Sequence, residues 1–285
     1  HPERRRRAAL AMSALSPAFA DWRRALRRFE TSRRIQTRVI SALMVRDALA
    51  RFGHENLGIF WLFGEPMMLT AGVMVLWTIS SHIEGHHIGV IPFVLSAYSM
   101  LTLWRHIVAR SVHALRHNVG LLFHRDIKHL DILVAQSLLD CLAGLSAFFV
   151  AYFPLLIFGL VDPIYDPLLL IGGWVMMTWV SFSFGLILAG LSEIYEAVER
   201  FVPPVLYVTI PFTGSFYMVA WLPDKAQKII LWSPLVHAFE MFRAGMFGPD
   251  FPTYWSLWFP TACCLVMTSI GLPLMRAAQK HVRME

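Results

Sequence analysis

The chain is 285 residues long, 56% hydrophobic and only 15% charged, with a formal net charge of +6 and a mean hydropathy of +0.54. Soluble globular chains carry about 25% charged residues, so this composition excludes a water-soluble domain and places the chain in a bilayer. The positive excess comes largely from arginines ahead of the first apolar run (Arg4 to Arg7, Arg23, Arg24, Arg27, Arg28, Arg33 and Arg34), a pattern that faces anionic lipid on the cytoplasmic side and excludes nucleic-acid binding.

Residues 1–40 form an arginine-rich cytoplasmic extension. Arg4 to Arg7, the apolar stretch Ala8 to Pro17 and Ala18, Phe19, Ala20 imitate a signal peptide. Cleavage there would export the arginine-dense segment that follows, against the positive-inside bias, and the apolar part is mostly alanine and serine, so that reading is rejected. A basic amphipathic stretch ending at Arg51, Phe52, Gly53 then enters the apolar run Ile59 to Ser80, which contains Glu65 and Pro66. A carboxylate in hydrocarbon costs roughly 2.5 to 3.5 kcal/mol on insertion scales and usually marks function. Two readings stay open. Pro66 can take the first helical position with Glu65 capping the start of the span, or Glu65 can face the entrance between paired subunits and ion-pair with Arg46 or Arg51.

Runs long enough to cross about 30 Å of hydrocarbon, roughly 20 helical residues, fall near 59–80, 88–107, 132–160, 166–190, 203–222 and 254–275. They predict an all-α integral membrane protein with six transmembrane helices in one domain over 41–285, both termini cytoplasmic. The basic connections are the N-terminal region, residues 105–130, residues 191–202 and the tail; the other connections carry Glu84, Asp162 and Asp166 and face outward. His82, Glu84, His86 and His87 read as a solvated outer loop. Cys141, Cys263 and Cys264 lie in apolar runs without CxxC spacing and read as small packing residues.

The fifth span is irregular, because Pro203, Pro204, Pro211 and Gly214 interrupt its ladder. Broken backbone at membrane depth needs protein or a water-filled cavity around it, which puts this span beside a conduit. The segment from Trp221 to Phe251 is too polar to cross and too apolar for a plain loop. It predicts two short outer helices, re-entrant or interfacial, broken at Pro234. His237, Glu240 and Arg243 share one face there at three-residue spacing. They are either the polar stripe of an outer gate, meeting a partner subunit or an anionic polymer, or polar residues of an interfacial helix facing head groups. A metal is disfavoured, since the ligand set is incomplete and Arg243 opposes a cation. Phe148, Tyr152, Trp179, Phe182, Phe212, Phe216, Tyr217 and Trp221 are the candidate conduit aromatics, of which about a third are expected to face a conduit, since a helix offers one face at a time.

No GxxxxGK[ST] phosphate loop occurs, so ATP-driven work requires another subunit. The candidate docking surface is the long inward loop with Leu121, Leu122, Phe123, Arg125, Asp126 and Lys128; the alternative is a basic loop lying on head groups.

RFGHENLGIFWLFGEP at 51–66, NVGLLFHRDIKHLDILVAQSLLD at 118–140 and LWSPLVHAFEMFRAGMFG at 231–248 together resemble the membrane permease of capsular polysaccharide ABC exporters, in the ABC-2 superfamily. The resemblance runs from about residue 40 to the end; the arginine-rich extension lies outside it. It implies a homodimer of six-span subunits in the bacterial inner membrane, without catalytic residues or cofactors of its own. Each subunit would dock on a separate nucleotide-binding ATPase that holds ATP and Mg. Val45 to Phe52 match an amphipathic interface helix, 118–130 a coupling helix, and 221–250 outer re-entrant helices near the exit. The implied cargo is a lipid-linked acidic polysaccharide, passed toward a periplasmic co-polymerase or adaptor and an outer-membrane exporter. Competing readings are a permease for O-antigen, teichoic acid or a smaller substrate, a membrane glycosyl- or acyltransferase, and a scaffold without a conduit. The enzyme would need converging acids, whereas Glu65, Asp140, Asp162 and Asp166 are scattered.

Overall fold

The computed structural model describes residues 33–50, 89–114, 128–195, 197–249 and 251–282, and among these every regular element is helical. In chain order they are α1 (33–50), α2 (Val90–His113), α3 (His129–Ile157), α4 (Pro167–Ile194), α5 (Ala197–Thr209), α6 (Asp224–Ile230), α7 (Pro234–Phe247) and α8 (Trp258–Val282). Two 3-10 turns, Ile210–Phe212 and Val219–Trp221, lie between α5 and α6.

Over His129–Ile157, Pro167–Ile194 and Trp258–Ala278 the helices are long and apolar enough to cross a membrane. α2 is 24 residues long and carries Arg105 and Arg110 in its second half. The expected first span, with Glu65 and Pro66, lies outside the described residues, as do Arg51 and the histidine cluster at 82–87.

α4 is the central element, packed against α2, α3, α7 and α8. In lipid no hydrophobic force drives helices together, so close approach relies on small residues that let backbones touch. A Cβ on Gly245 of α7 would lie 2.3 Å from the Leu170 nitrogen, and one on Gly173 of α4 would lie 2.5 Å from the Phe242 nitrogen. At the α4–α8 crossing, a Cβ on Gly190 would come 2.9 Å from Leu274, and one on Gly271 would come 2.8 Å from Leu186. α4 itself starts cleanly: Asp166 caps it through the Leu168 and Leu169 amides at 2.9 and 3.1 Å, and Pro167 takes the first turn.

The fifth predicted span is not one continuous helix. α5 runs 13 residues straight through Pro203 and Pro204. The ladder fails later, where Pro211 sits in a 3-10 turn and Gly214 adopts φ +86, a conformation that suits a residue without Cβ.

At the end of the bundle where α2 and α4 finish and α3 begins, α1 packs into a second apolar cluster. Leu43 is buried there with Ile132, Leu133, Leu186 and Met275, and Val39, Ile40 and Met44 pack against them. The Gln36 amide donates to the Asp131 carboxylate at 2.8 Å, fastening α1 to the first turn of α3. α1 includes Val45 to Ala50 of the stretch that the resemblance matched to an interface helix, and Arg51 and Phe52 lie outside the described residues. Its packed face is Gln36, Val39, Ile40 and Leu43, while Val45 and Leu49 are exposed on the opposite face.

Candidate functional site

The end of the bundle opposite α1 carries α6, α7 and the irregular backbone on either side of them. Pro234 opens α7 at its first turn, after the break that follows Ile230, so the two short helices divide where the sequence placed the division. His237, Glu240 and Arg243 do fall on one face of α7. That face points into the protein: their exposures are 7%, 1% and 0%.

Arg243 is the centre of a polar knot. One terminal nitrogen donates to the carbonyls of Gly214 and Tyr217 at 2.8 and 2.7 Å, and the other donates to the Ser215 carbonyl at 2.9 Å. The guanidinium carbon also lies 4.6 Å from the centre of the Phe93 ring and 5.4 Å from that of Phe239, at cation–π distance. A glycine at 214 leaves the carbonyl free to turn inward, which is how an irregular stretch acquires partners for its orphaned acceptors.

The Glu240 carboxylate accepts from the amides of Val219 at 3.3 Å and Tyr254 at 3.0 Å, and sits 4.0 Å from Arg243. Burial pushes the Glu240 carboxyl above its ordinary value, against the opposing pull of Arg243 and the two amides. Burial likewise lowers the Arg243 guanidinium, and the Glu240 charge resists that shift. Each charge thus depends on the other to stay ionised.

His237 completes the knot. Its Nδ1 accepts from the Ser256 amide at 3.1 Å, so the proton sits on Nε2, which donates to the Leu231 carbonyl at 2.9 Å. Burial depresses the imidazole below its usual range, outweighing the Leu231 contact that favours the charged form. Together three side chains tie α7 to residues 214–219, to the turn at 231 and to residues 254–256. The expectation of a stripe turned toward a partner or an anionic polymer is corrected: these groups are spent on backbone partners within the chain. Each His237 nitrogen and each Glu240 oxygen of the HxxE pair thus has a backbone partner within the chain.

The aromatics divide. Phe148 and Tyr152, expected on a conduit, belong to the interior. Phe148 is wedged among Trp174, Phe242 and Tyr152, with ring centres 6.4, 5.3 and 5.8 Å away. Tyr152 accepts from the Ile164 amide and donates to the Asp162 carbonyl, both at 3.0 Å, closing the α3–α4 turn. Trp179 packs partly buried against the same core, and Phe182 against the cluster around α1. Trp221 lies 5.0 Å from Phe93, and Tyr217 donates to the Pro211 carbonyl at 2.8 Å. Phe212 and Phe216 are exposed, along the broken backbone after α5.

At the opposite end, Lys128 is exposed at the start of α3, and its amide donates to the Asp131 carboxylate at 3.2 Å. Leu121, Leu122, Phe123, Arg125 and Asp126 lie outside the described residues. Arg46 donates to its neighbour Asp47 at 2.6 and 3.0 Å; its expected pairing with Glu65 falls outside what is described. One interaction went unread in the sequence. Arg110 of α2 ion-pairs with the buried Asp140 of α3, and opposite charges in two adjacent apolar helices were the available signal.

Residues 38–247 match the family described as ABC-2 type transporter. The chain is 32% identical over 255 residues to the capsule polysaccharide export inner-membrane protein BexB of Haemophilus influenzae, covering 89% of this chain and 96% of that protein. It is 32% identical over 254 residues to the capsule polysaccharide export inner-membrane protein CtrC of Neisseria meningitidis, with the same coverage of each. Similarity extends to the polysialic acid transport protein KpsM of Escherichia coli, at 25% identity over 249 residues, covering 86% of this chain and 95% of that protein.

Proposed function

From the chain's membership of the ABC-2 type transporter family, to which it belongs over residues 38–247, we propose that it is the membrane-spanning subunit of an ATP-driven exporter. It moves glycolipid-linked capsular polysaccharide across the bacterial inner membrane. The observation that carries this reading is the match at 32% identity along 96% of an inner-membrane protein named for capsule polysaccharide export. Six crossings, with α1 on the cytoplasmic side and α7 on the outer side, follow from the basic connections. The working assembly is two copies of this chain with two nucleotide-binding subunits that hold ATP and Mg. Beyond the membrane it hands the polymer to a periplasmic adaptor and an outer-membrane exporter.

Two structural features support a division of labour along the bundle. The stretch proposed to meet the ATPase, 118–130, includes the first residues of α3, next to Asp131, which holds α1 through Gln36; residues 118–127 lie outside the described residues. A push on that loop reaches α1 and α3 together. At the other end the knot around Arg243 makes α7 and the segments at 214–219 and 254–256 one rigid cap, so opening an exit moves the cap as a body. Sugars and carboxylates of a passing polymer then meet the exposed Phe212 and Phe216 instead of the buried charges.

The test is purification of the full chain with an ATPase subunit encoded beside it. Stable co-purification, with hydrolysis altered by an acidic glycolipid, is the expected outcome. Sugar- or acyl-transfer activity by this chain alone would move the answer to an enzyme.

A further inference from the structure

A cavity of about 200 Å³ opens between α2 and α5, lined by Tyr98, Thr102, Arg105, His113, Glu199 and Tyr207 among others. Its two ends differ in charge. Arg105 stacks on Tyr207, 5.1 Å from the ring centre, and donates to the Tyr207 hydroxyl at 3.4 Å. Among the described residues, no carboxylate is within ion-pair reach of Arg105. About 12 Å further along α2, two helical turns away, the His113 Nδ1 lies 3.8 Å from the Glu199 carboxylate.

Arg105 is half-buried where α2 meets α5, and its guanidinium has five N–H donors in a planar fork suited to phosphate or carboxylate. At the opposite end the Glu199 carboxylate and the His113 imidazole face each other, groups that can bond a hydroxyl in addition to the partners they already have. Two tyrosine rings and a threonine hydroxyl lie between, the mixed apolar and polar lining that holds a small polar ligand. The volume admits a sugar- or glycerol-sized group. A metal cation is opposed by Arg105, and a bare acyl chain would leave the polar lining unpartnered.

We infer that the α2–α5 cavity binds an anionic headgroup bearing hydroxyls, with its phosphate on Arg105 and its hydroxyls toward Glu199. The headgroup comes either from a membrane phospholipid or from the lipid-proximal sugar phosphate of a cargo; only the second source rests on the export reading.

The full chain is placed in phosphatidylcholine nanodiscs and bound lipid is counted by native mass spectrometry. Three probes are used: phosphatidylglycerol, phosphatidylethanol, which lacks the hydroxyls, and soluble glucose 1-phosphate as competitor. The inference expects retention of phosphatidylglycerol over phosphatidylethanol. Arg105→Gln weakens retention about tenfold or more, the size of a lost charge-assisted hydrogen bond; Arg105→Lys weakens it less. Glu199→Gln erases the preference between the two lipids. Displacement by glucose 1-phosphate assigns the site to a sugar phosphate, and failure to displace assigns it to phospholipid. Equal retention of the two lipids, or retention unchanged in Arg105→Gln protein of normal elution volume, overturns the inference. No ATPase enters this measurement, so its outcome is separate from that of the co-purification.

Discussion

Arg243 shows how an arginine with no exposed surface is kept in a membrane protein. Three carbonyls, two rings and one carboxylate surround it, the carbonyls all from the irregular stretch 214–217. Arg243→Met removes those donors and strands Glu240, so it is expected to destabilise the protein by about 3 kcal/mol or more, with Glu240→Gln milder. Thermal unfolding in detergent checks the ranking, and equal stability of wild type and Arg243→Met would contradict it. His237 sets a pH dependence with a definite sign. Its folded value lies below the ordinary imidazole value of about 6.5, so its stabilising contribution is complete above that pH. It is lost as pH falls from there toward the depressed folded value. His237→Gln should flatten that slope in unfolding measured between neutral and mildly acidic pH. The three-residue spacing was legible in the sequence; which way the face pointed was not, because the acceptors are backbone carbonyls that no residue letter records.

At the scale of elements, the packing of α7 on α4 rests on two glycines facing backbone. Gly245→Ala puts a methyl 2.3 Å from the Leu170 nitrogen, so the helices must part. A cost of about 1 to 3 kcal/mol follows from overpacking, read as a lowered unfolding temperature and faster proteolysis near 224–250. Unchanged stability would mean the helices are not so close. Helix limits read well from the sequence: the break before Pro234 and the irregular fifth segment both lie where proline and glycine predicted. Pro203 and Pro204 did not end α5, whose ladder runs on to Thr209. Conduit positions read poorly. Phe148 and Tyr152 are core residues because aromatic letters carry no facing information, whereas the exposed Phe212 and Phe216 sit where the backbone itself is broken.

For the whole molecule, composition and charge place the chain in a membrane, and three blocks of residues point to its family. What neither composition nor blocks contain is the tie between ends. α1 is locked to α3 by Gln36 and Asp131, α4 spans the bundle, and α7 closes its far end on α4. Packed helices thus run from α1 through α4 to α7. The most direct measurement of the central claim is translocation in proteoliposomes holding this chain and its ATPase subunit, loaded outside with an acidic glycolipid and ATP. The account expects glycolipid to become protected inside the vesicles with ATP and to remain outside with a non-hydrolysable analogue. Equal protection under both conditions, or none with an active ATPase present, would contradict it.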